Sequence, residues 1–185
     1  MSRLSDLVGA YASESALPWR PGLSGGERVW MLVYPPEMER PMRAALPKLE
    51  LATSQAGHGW TVIDITDELG AWIATHRYHE AFFEDPSDFT AAIIDKLEAE
   101  LVSKVRALLA SAQENSVVAL VGVGAIFPFL HASSVIKAID DDVRGRLLVL
   151  FPGLHDPETH SFRLLDARDG FNYRARVIDL QKDIV

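Results

Sequence analysis

The 185-residue chain contains no cysteine, which removes disulfides, thiolate zinc sites, iron–sulfur clusters and cysteine nucleophiles from its possible chemistry. That absence fits a reducing cytoplasm. A membrane-length apolar run is also missing: the longest uncharged apolar stretch, 117–130, is interrupted by Gly122, Gly124 and Pro128. The opening MSRLSDLVGAYASES carries Arg3 and Asp6 and has no apolar block of signal-peptide length. The expectation is a cytoplasmic protein that is neither exported by this route nor membrane-spanning. No repeat of fixed period and no low-complexity tract is present. No serine sits in a GxSxG elbow, so nothing supports a hydrolase triad.

Present in ordinary proportion are apolar residues at 48% and charged ones at 24%, the balance of a globular domain. A chain of this length buries roughly 70% of its unfolded surface, enough for a core without staples. The expectation is one domain over 1–185, with a short N-terminal helix and a Pro/Gly-rich linker at 16–27. The net charge is −8, which repels phosphate backbones on average and argues against direct nucleic-acid binding. Almost all of the excess lies in residues 61–115, with four Lys and Arg against eleven Asp and Glu. Such an acidic face serves solubility or docks a basic partner. Arg163, Arg168, Arg174 and Arg176 are the only local arginine concentration, but Asp166 and Asp169 sit among them, which points to local ion pairing rather than a nucleic-acid stripe.

Short apolar runs alternate with longer amphipathic ones. Leu4, Leu7, Val8 and Tyr11 have helical spacing. Strands are expected at 29–34, 60–65, 117–121 and 147–151, the last ended by Pro152-Gly153. Between the first two, Pro41 and Pro47 punctuate a helical region that Gly57 would close with a left-handed cap. Thr66 or Asp67 can cap a helix bearing Leu69, Trp72 and Ile73. Pro86-Ser87 announces a long helix at 88–113, on which Phe89, Ile93, Leu97, Leu101, Val105 and Leu108 recur at threes and fours. Residues 128–141 read as mostly helix. Helical crossovers of this length join parallel strands and cover both sheet faces. The fold class is therefore α/β, a three-layer α/β/α sandwich with a mostly parallel sheet. FRLLDA and YRARVIDL, separated by RDGFN, suggest an antiparallel C-terminal edge turning at Asp169-Gly170.

In such a sheet, ligands sit beyond the strand C-termini. Gly122 and Gly124 follow a buried strand as phosphate-cradling glycines do, yet the Lys and Ser/Thr of a Walker A loop and the third glycine of a dinucleotide fingerprint are missing. A tight structural turn is the competing reading. Asp64 and Asp67 flank the second strand's end and could hold magnesium, or could simply cap a helix and face solvent. His76 with His79, and His155 with His160 beside Asp156, have usable ligand spacing but complete no metal motif. His58 and His131 read as turn and core residues. Asp169, Asn172 and Tyr173 describe either a site or a turn with an Asx hydrogen bond. Were a cleft in use, Asp64, Asp67, Gly122, Gly124 and His155 would be its ligand-binding groups, with no cofactor implied by any complete motif.

Several blocks together resemble the BrxB family of bacteriophage exclusion (BREX) defence systems: ELATSQAGHGWTVIDITD at 50–67, WIATHRYHEAFFEDP at 72–86, GVGAIFPFL at 122–130, GRLLVLFPG at 145–153 and FRLLDARDGFNY at 162–173. The resemblance runs from about residue 1 to 179. It implies a small cytoplasmic protein without established enzyme activity that works beside larger components. Those are PglZ, a phosphatase-like protein, PglX, a DNA methyltransferase, and BrxC, an ATPase. The implied role is an adaptor or scaffold docking on PglZ. The alternative is a ligand- or nucleotide-binding domain, an enzyme included, that uses the strand-end cleft.

Overall fold

Apolar side chains on both faces of a strand need a covering layer on each side, and VWMLVY meets that need as β1 (Val29–Tyr34), buried at all six residues. In the computed structural model, which describes residues 3–85, 89–164, 167–171 and 175–180, β1 lies inside a parallel array. The other strands of the array are β2 (Gly59–Asp64), β3 (Ser116–Val121), β4 (Arg146–Asp156) and β7 (Arg176–Ile178), in the order β2–β3–β4–β1–β7. Every pairing along that path is parallel.

Successive β1 residues point to opposite faces, so each face has its own core. Trp30, Leu32 and Tyr34 pack with Leu7 and Tyr11 of α1 (Arg3–Ser15), Met42 of α2 (Glu39–Ala44) and Leu49 of α3 (Leu46–Gln55). Met31 and Val33 pack instead with the layer that holds α4 (Glu68–Thr75), α6 (Ala91–Ala110) and α7 (Ala132–Ile139). Three layers result, as the alternation of strands and helices predicts. Full burial of one leucine such as Leu147 contributes ~1.5–3 kcal/mol. The first crossover runs over one face, while those after β2 and β3 return over the other. Strand β4 therefore lies at the topological switch, where an open cleft is expected.

Proline punctuation behaves as expected: Pro41 sits in the first turn of α2, Pro47 near the start of α3, and Gly57 closes the segment at φ +83°. Local features also differ from the sequence reading. A separate short helix, α5 (His79–Glu84), precedes α6, and its six residues are too few for a periodicity to register. On α6 the core stripe continues by fours to Leu109, 2% exposed, and leaves Leu108 42% exposed. Finally, β4 does not stop at Pro152-Gly153 but continues to Asp156.

That extension has a physical cause. Pairing with β3 ends at Val149, so beyond it β4 has an open side on which a proline's missing N–H is tolerated. Gly153 then admits the return strand β5 (Ser161–Leu164): a Cβ at Gly153 would fall 2.0 Å from the Arg163 carbonyl oxygen. Strand β5 pairs antiparallel with β4, and β6 (Ala167–Phe171) antiparallel with β5. The antiparallel C-terminal portion is thus real, but Leu164 pairs with Ala167, so the reversal precedes Ala167 and Asp169-Gly170 falls within β6. The last strand, β7, is parallel to β1. Pro86, Ser87, Asp166, Asn172, Tyr173 and Arg174 lie outside the described residues. Among the described residues, no helix is long and apolar enough to cross a membrane.

Candidate functional site

At the C-terminal ends of β2 and β3 the polar groups are joined to one another. Asp64 Oδ2 pairs with Arg43 at 3.0 Å. Its Oδ1 accepts the Thr66 backbone N–H at 2.9 Å and the Thr66 hydroxyl. Arg43 also donates to Thr66 Oγ1 and, at 2.8 Å, to Glu39 one helical turn earlier. Glu39 in turn accepts the Tyr34 hydroxyl at 2.6 Å. One chain of hydrogen bonds thus runs from β1 through α2 to the loop after β2. Burial pushes the Asp64 carboxyl up, but the bonds from Thr66 and Arg43 outweigh it and hold the group below the usual carboxylate range. Burial, reinforced by the bond to Glu39 and its charge, pushes the Tyr34 phenol far above its ordinary range.

Gly122 is built into the same arrangement. It adopts φ +92°, and a Cβ there would lie 2.6 Å from the Thr66 backbone nitrogen. Glycine is required because the turn is left-handed and presses against the β2 loop. The Gly122 backbone thus packs closely on Thr66. Gly124 faces the Pro152 ring, which a Cβ would meet at 3.4 Å. Asp67 is exposed at the N-cap of α4 and makes no capping hydrogen bond through its side chain.

His155 lies elsewhere. With Arg3, Leu7, Tyr34, Leu154 and Asp179 it borders a cavity of about 350 Å³ between α1, the end of β1, the β4 extension and the segment after β7. Its Nδ1 is 3.4 Å from Asp179 Oδ2, and its ring lies 5.0 Å from that of Phe162. Of the five expected groups, Asp64, Gly122 and Gly124 gather at one side of the switch, His155 borders the cavity on the other, and Asp67 faces solvent. Tyr34 joins the two sides, since it borders the cavity and donates to Glu39.

The remaining histidines have structural surroundings. His79 Nδ1 is 2.9 Å from the His76 carbonyl oxygen, and His76 packs 4.8 Å from Phe82. His58 stacks on Trp19 at 3.8 Å beside the Gly57 turn and contacts Asn115 at 2.6 Å. His131, expected in the core, is exposed at the N-cap of α7. Asp156 accepts the Thr159 hydroxyl at 2.8 Å and the Glu158 amide at 3.0 Å, which hold its carboxyl below the usual range. Among the described residues no group of three or more His, Asp or Glu is placed to hold a metal ion.

Sequence reasoning missed Arg43, Glu39 and Tyr34, and read Thr66 only as a candidate helix cap. One signal was available, the i, i+4 spacing of Glu39 and Arg43 on a helix. It also missed a second constellation at the opposite strand ends. There Arg146, the first residue of β4, is only 6% exposed, and its guanidinium carbon stands 4.5 Å over the Trp19 ring.

These features define a three-layer α/β domain whose strand-end polar groups are largely bonded to one another. The chain belongs to the BrxB family: the family model described as BREX protein BrxB matches residues 62–178, from within β2 through β7. It is therefore a component of a BREX defence system. The matched segment holds Asp64, Asp67, Gly122, Gly124 and His155, whereas α1, the linker and β1 precede it. No curated protein and no solved structure matches the chain.

Proposed function

We propose that the chain is a non-catalytic adaptor of its BREX system and docks on the PglZ-type component through its acidic helices. The carrying observation is an outer surface with exposed carboxylates that meet no cation among the described residues. Glu80, Glu84 and Asp95 on α5 and α6 are exposed. Of the acidic residues on α4 and α6, Glu68 meets Lys104 at 2.6 Å and Glu100 meets Lys96 at 3.8 Å. Such a surface steers a basic partner and raises its association rate in a salt-dependent way. The non-catalytic part is supported by Asp64, Thr66 and Arg43, whose bonding capacity is largely directed at each other.

The test mixes the protein with the PglZ-type protein of the same defence cluster and follows complex mass by light scattering and affinity by calorimetry. A stoichiometric complex with micromolar or tighter Kd, weakened about tenfold or more by combined Glu80→Lys, Glu84→Lys and Asp95→Lys, is expected. No complex at tens of micromolar overturns the docking reading. A second reading, a ligand-binding cleft at the strand C-termini, is favoured by the His155–Asp179 pair in its cavity. Thermal stabilisation by a nucleotide or divalent ion that disappears in His155→Ala would support it.

A further inference from the structure

The N-terminal ends of the strands enclose a different cavity, of about 280 Å³, between the linker and the starts of β1, β4 and β7. Arg146 forms part of its wall together with Trp19, Trp30, Arg20, Arg176 and Glu14. A guanidinium carries five N–H donors, and at 6% exposure such a group normally faces a carboxylate. Arg146 instead gives one hydrogen bond, from a terminal nitrogen to the Gly145 carbonyl at 3.0 Å, and has no ion-pair partner among the described residues. The nearby carboxylates are directed elsewhere: Glu14 to Arg176 at 3.0 Å, and Glu27 to the Ser24 amide and hydroxyl at 2.9 and 2.7 Å.

The electrostatics point the same way. Loss of water, joined by the like charge of Arg28, holds the Arg146 pKa below its ordinary value. A second unsatisfied group lies alongside, because Trp19 Nε1 is buried with no acceptor among the described residues. Among the residues lining the cavity three arginines (20, 146 and 176) stand against two glutamates (14 and 27), a surplus of one positive charge in a chain whose net charge is −8. Trp19 already carries His58 at 3.8 Å and the Arg146 guanidinium at 4.5 Å, which leaves little indole face for a ligand ring to stack on.

We propose that this cavity binds a phosphate monoester or free phosphate, held by the Arg146 guanidinium fork. A phosphate monoester offers three terminal acceptor oxygens to the Arg146 N–H donors and the Trp19 indole N–H, whereas a carboxylate offers two, and the fork suits bidentate pairing with phosphate oxygens. The site is separate from the acidic helices and independent of the docking proposal.

The test titrates the full chain with inorganic phosphate, with glycerol 3-phosphate and with acetate at matched ionic strength, read by calorimetry and by the fluorescence of Trp19 and Trp30. Saturable binding of phosphate or its monoester below millimolar, with acetate much weaker, is expected. The monoester binds more tightly if the volume beyond the phosphate is used; equal affinities identify free phosphate as sufficient. Arg146→Met should weaken binding at least about tenfold, and Arg146→Lys, which keeps the charge but loses the fork, several-fold. If Arg146 only packs against the indoles, the variants lower the melting temperature while wild type shows no phosphate-dependent shift. Absence of saturable phosphate binding to wild type overturns the proposal, as does unchanged affinity in Arg146→Lys. The wild-type and lysine measurements stand even if the methionine variant does not fold.

Discussion

The two ends of the parallel strands are built in opposite ways. At the C-terminal ends, Tyr34, Glu39, Arg43, Asp64 and Thr66 satisfy one another in sequence, and Gly122 presses its turn onto that network. At the N-terminal ends, Arg146 is buried against indoles with one backbone hydrogen bond. Topology alone directs attention to the first end, because α/β sheets collect ligands beyond their strand C-termini. Charge accounting directs it to the second. Proximity of polar groups shows where a fold is stitched; an unmatched buried charge shows where something else is wanted.

The comparison breaks first at Gly122. Gly122→Ala places a side chain in the left-handed region and drives a Cβ to 2.6 Å from the Thr66 amide nitrogen. Conformational cost and overpacking together predict a loss of about 3 kcal/mol, measured as a shift in the urea midpoint. A loss below ~1 kcal/mol would mean that the loop opens easily and that the network is not what closes this end. The next effect tests the other end. The Tyr11 hydroxyl is buried on Thr53, and its ring meets Trp30 edge-on at 6.3 Å. Burial, only partly offset by the Thr53 hydrogen bond, pushes its pKa up to about 12. A raised pKa stabilises the fold fully below the unfolded value near 10 and loses that contribution as pH rises through the folded value. Stability should therefore fall between about pH 10 and pH 12, and Tyr11→Phe should flatten that slope in denaturant titrations, leaving the part due to Tyr34.

Local pattern carried much of the architecture. The all-apolar β1, the proline-divided α2 and α3 and the period of α6 are each written in consecutive residues, and the parallel sheet follows from the crossovers. Long-range pairing is not written that way. Asp64 was singled out from its strand-end position, yet its state is set by Thr66, two residues on, together with Arg43, 21 residues earlier, on a helix that the sheet topology alone brings near. Trp19 falls in the Pro/Gly-rich segment 16–27 and Arg146 just before the strand expected at 147–151; only the fold stacks them. The β4 extension was hidden because Pro152-Gly153 reads locally as a stop, whereas the glycine admits β5 at 2.0 Å from the site of its missing Cβ.

Smaller perturbations sharpen the contrast. Arg43→Met removes the donor shared by Glu39, Asp64 and Thr66, but the Arg43 and Asp64 side chains are 29% and 48% exposed. Solvent screening reduces the expected loss to about 1 kcal/mol. The depressed Asp64 pKa gives a matching pH signature: its stabilisation is present above the unfolded value near 3.9 and is lost as pH falls through the folded value. Acid titration of Arg43→Met should show a weaker loss over that window than wild type. The smallest effect belongs to Asp67. A capping aspartate replaced by alanine costs ~1 kcal/mol because an amide of the first turn loses its acceptor. Asp67 occupies the N-cap of α4 without making that bond and is exposed, so Asp67→Ala should stay within about 0.5 kcal/mol of wild type in equilibrium unfolding. A loss of a full kcal/mol would mean that Asp67 does cap α4 in solution. The self-bonded network would then extend one residue past Thr66 into the helix, and the line between the closed end and the solvent would have to be redrawn there.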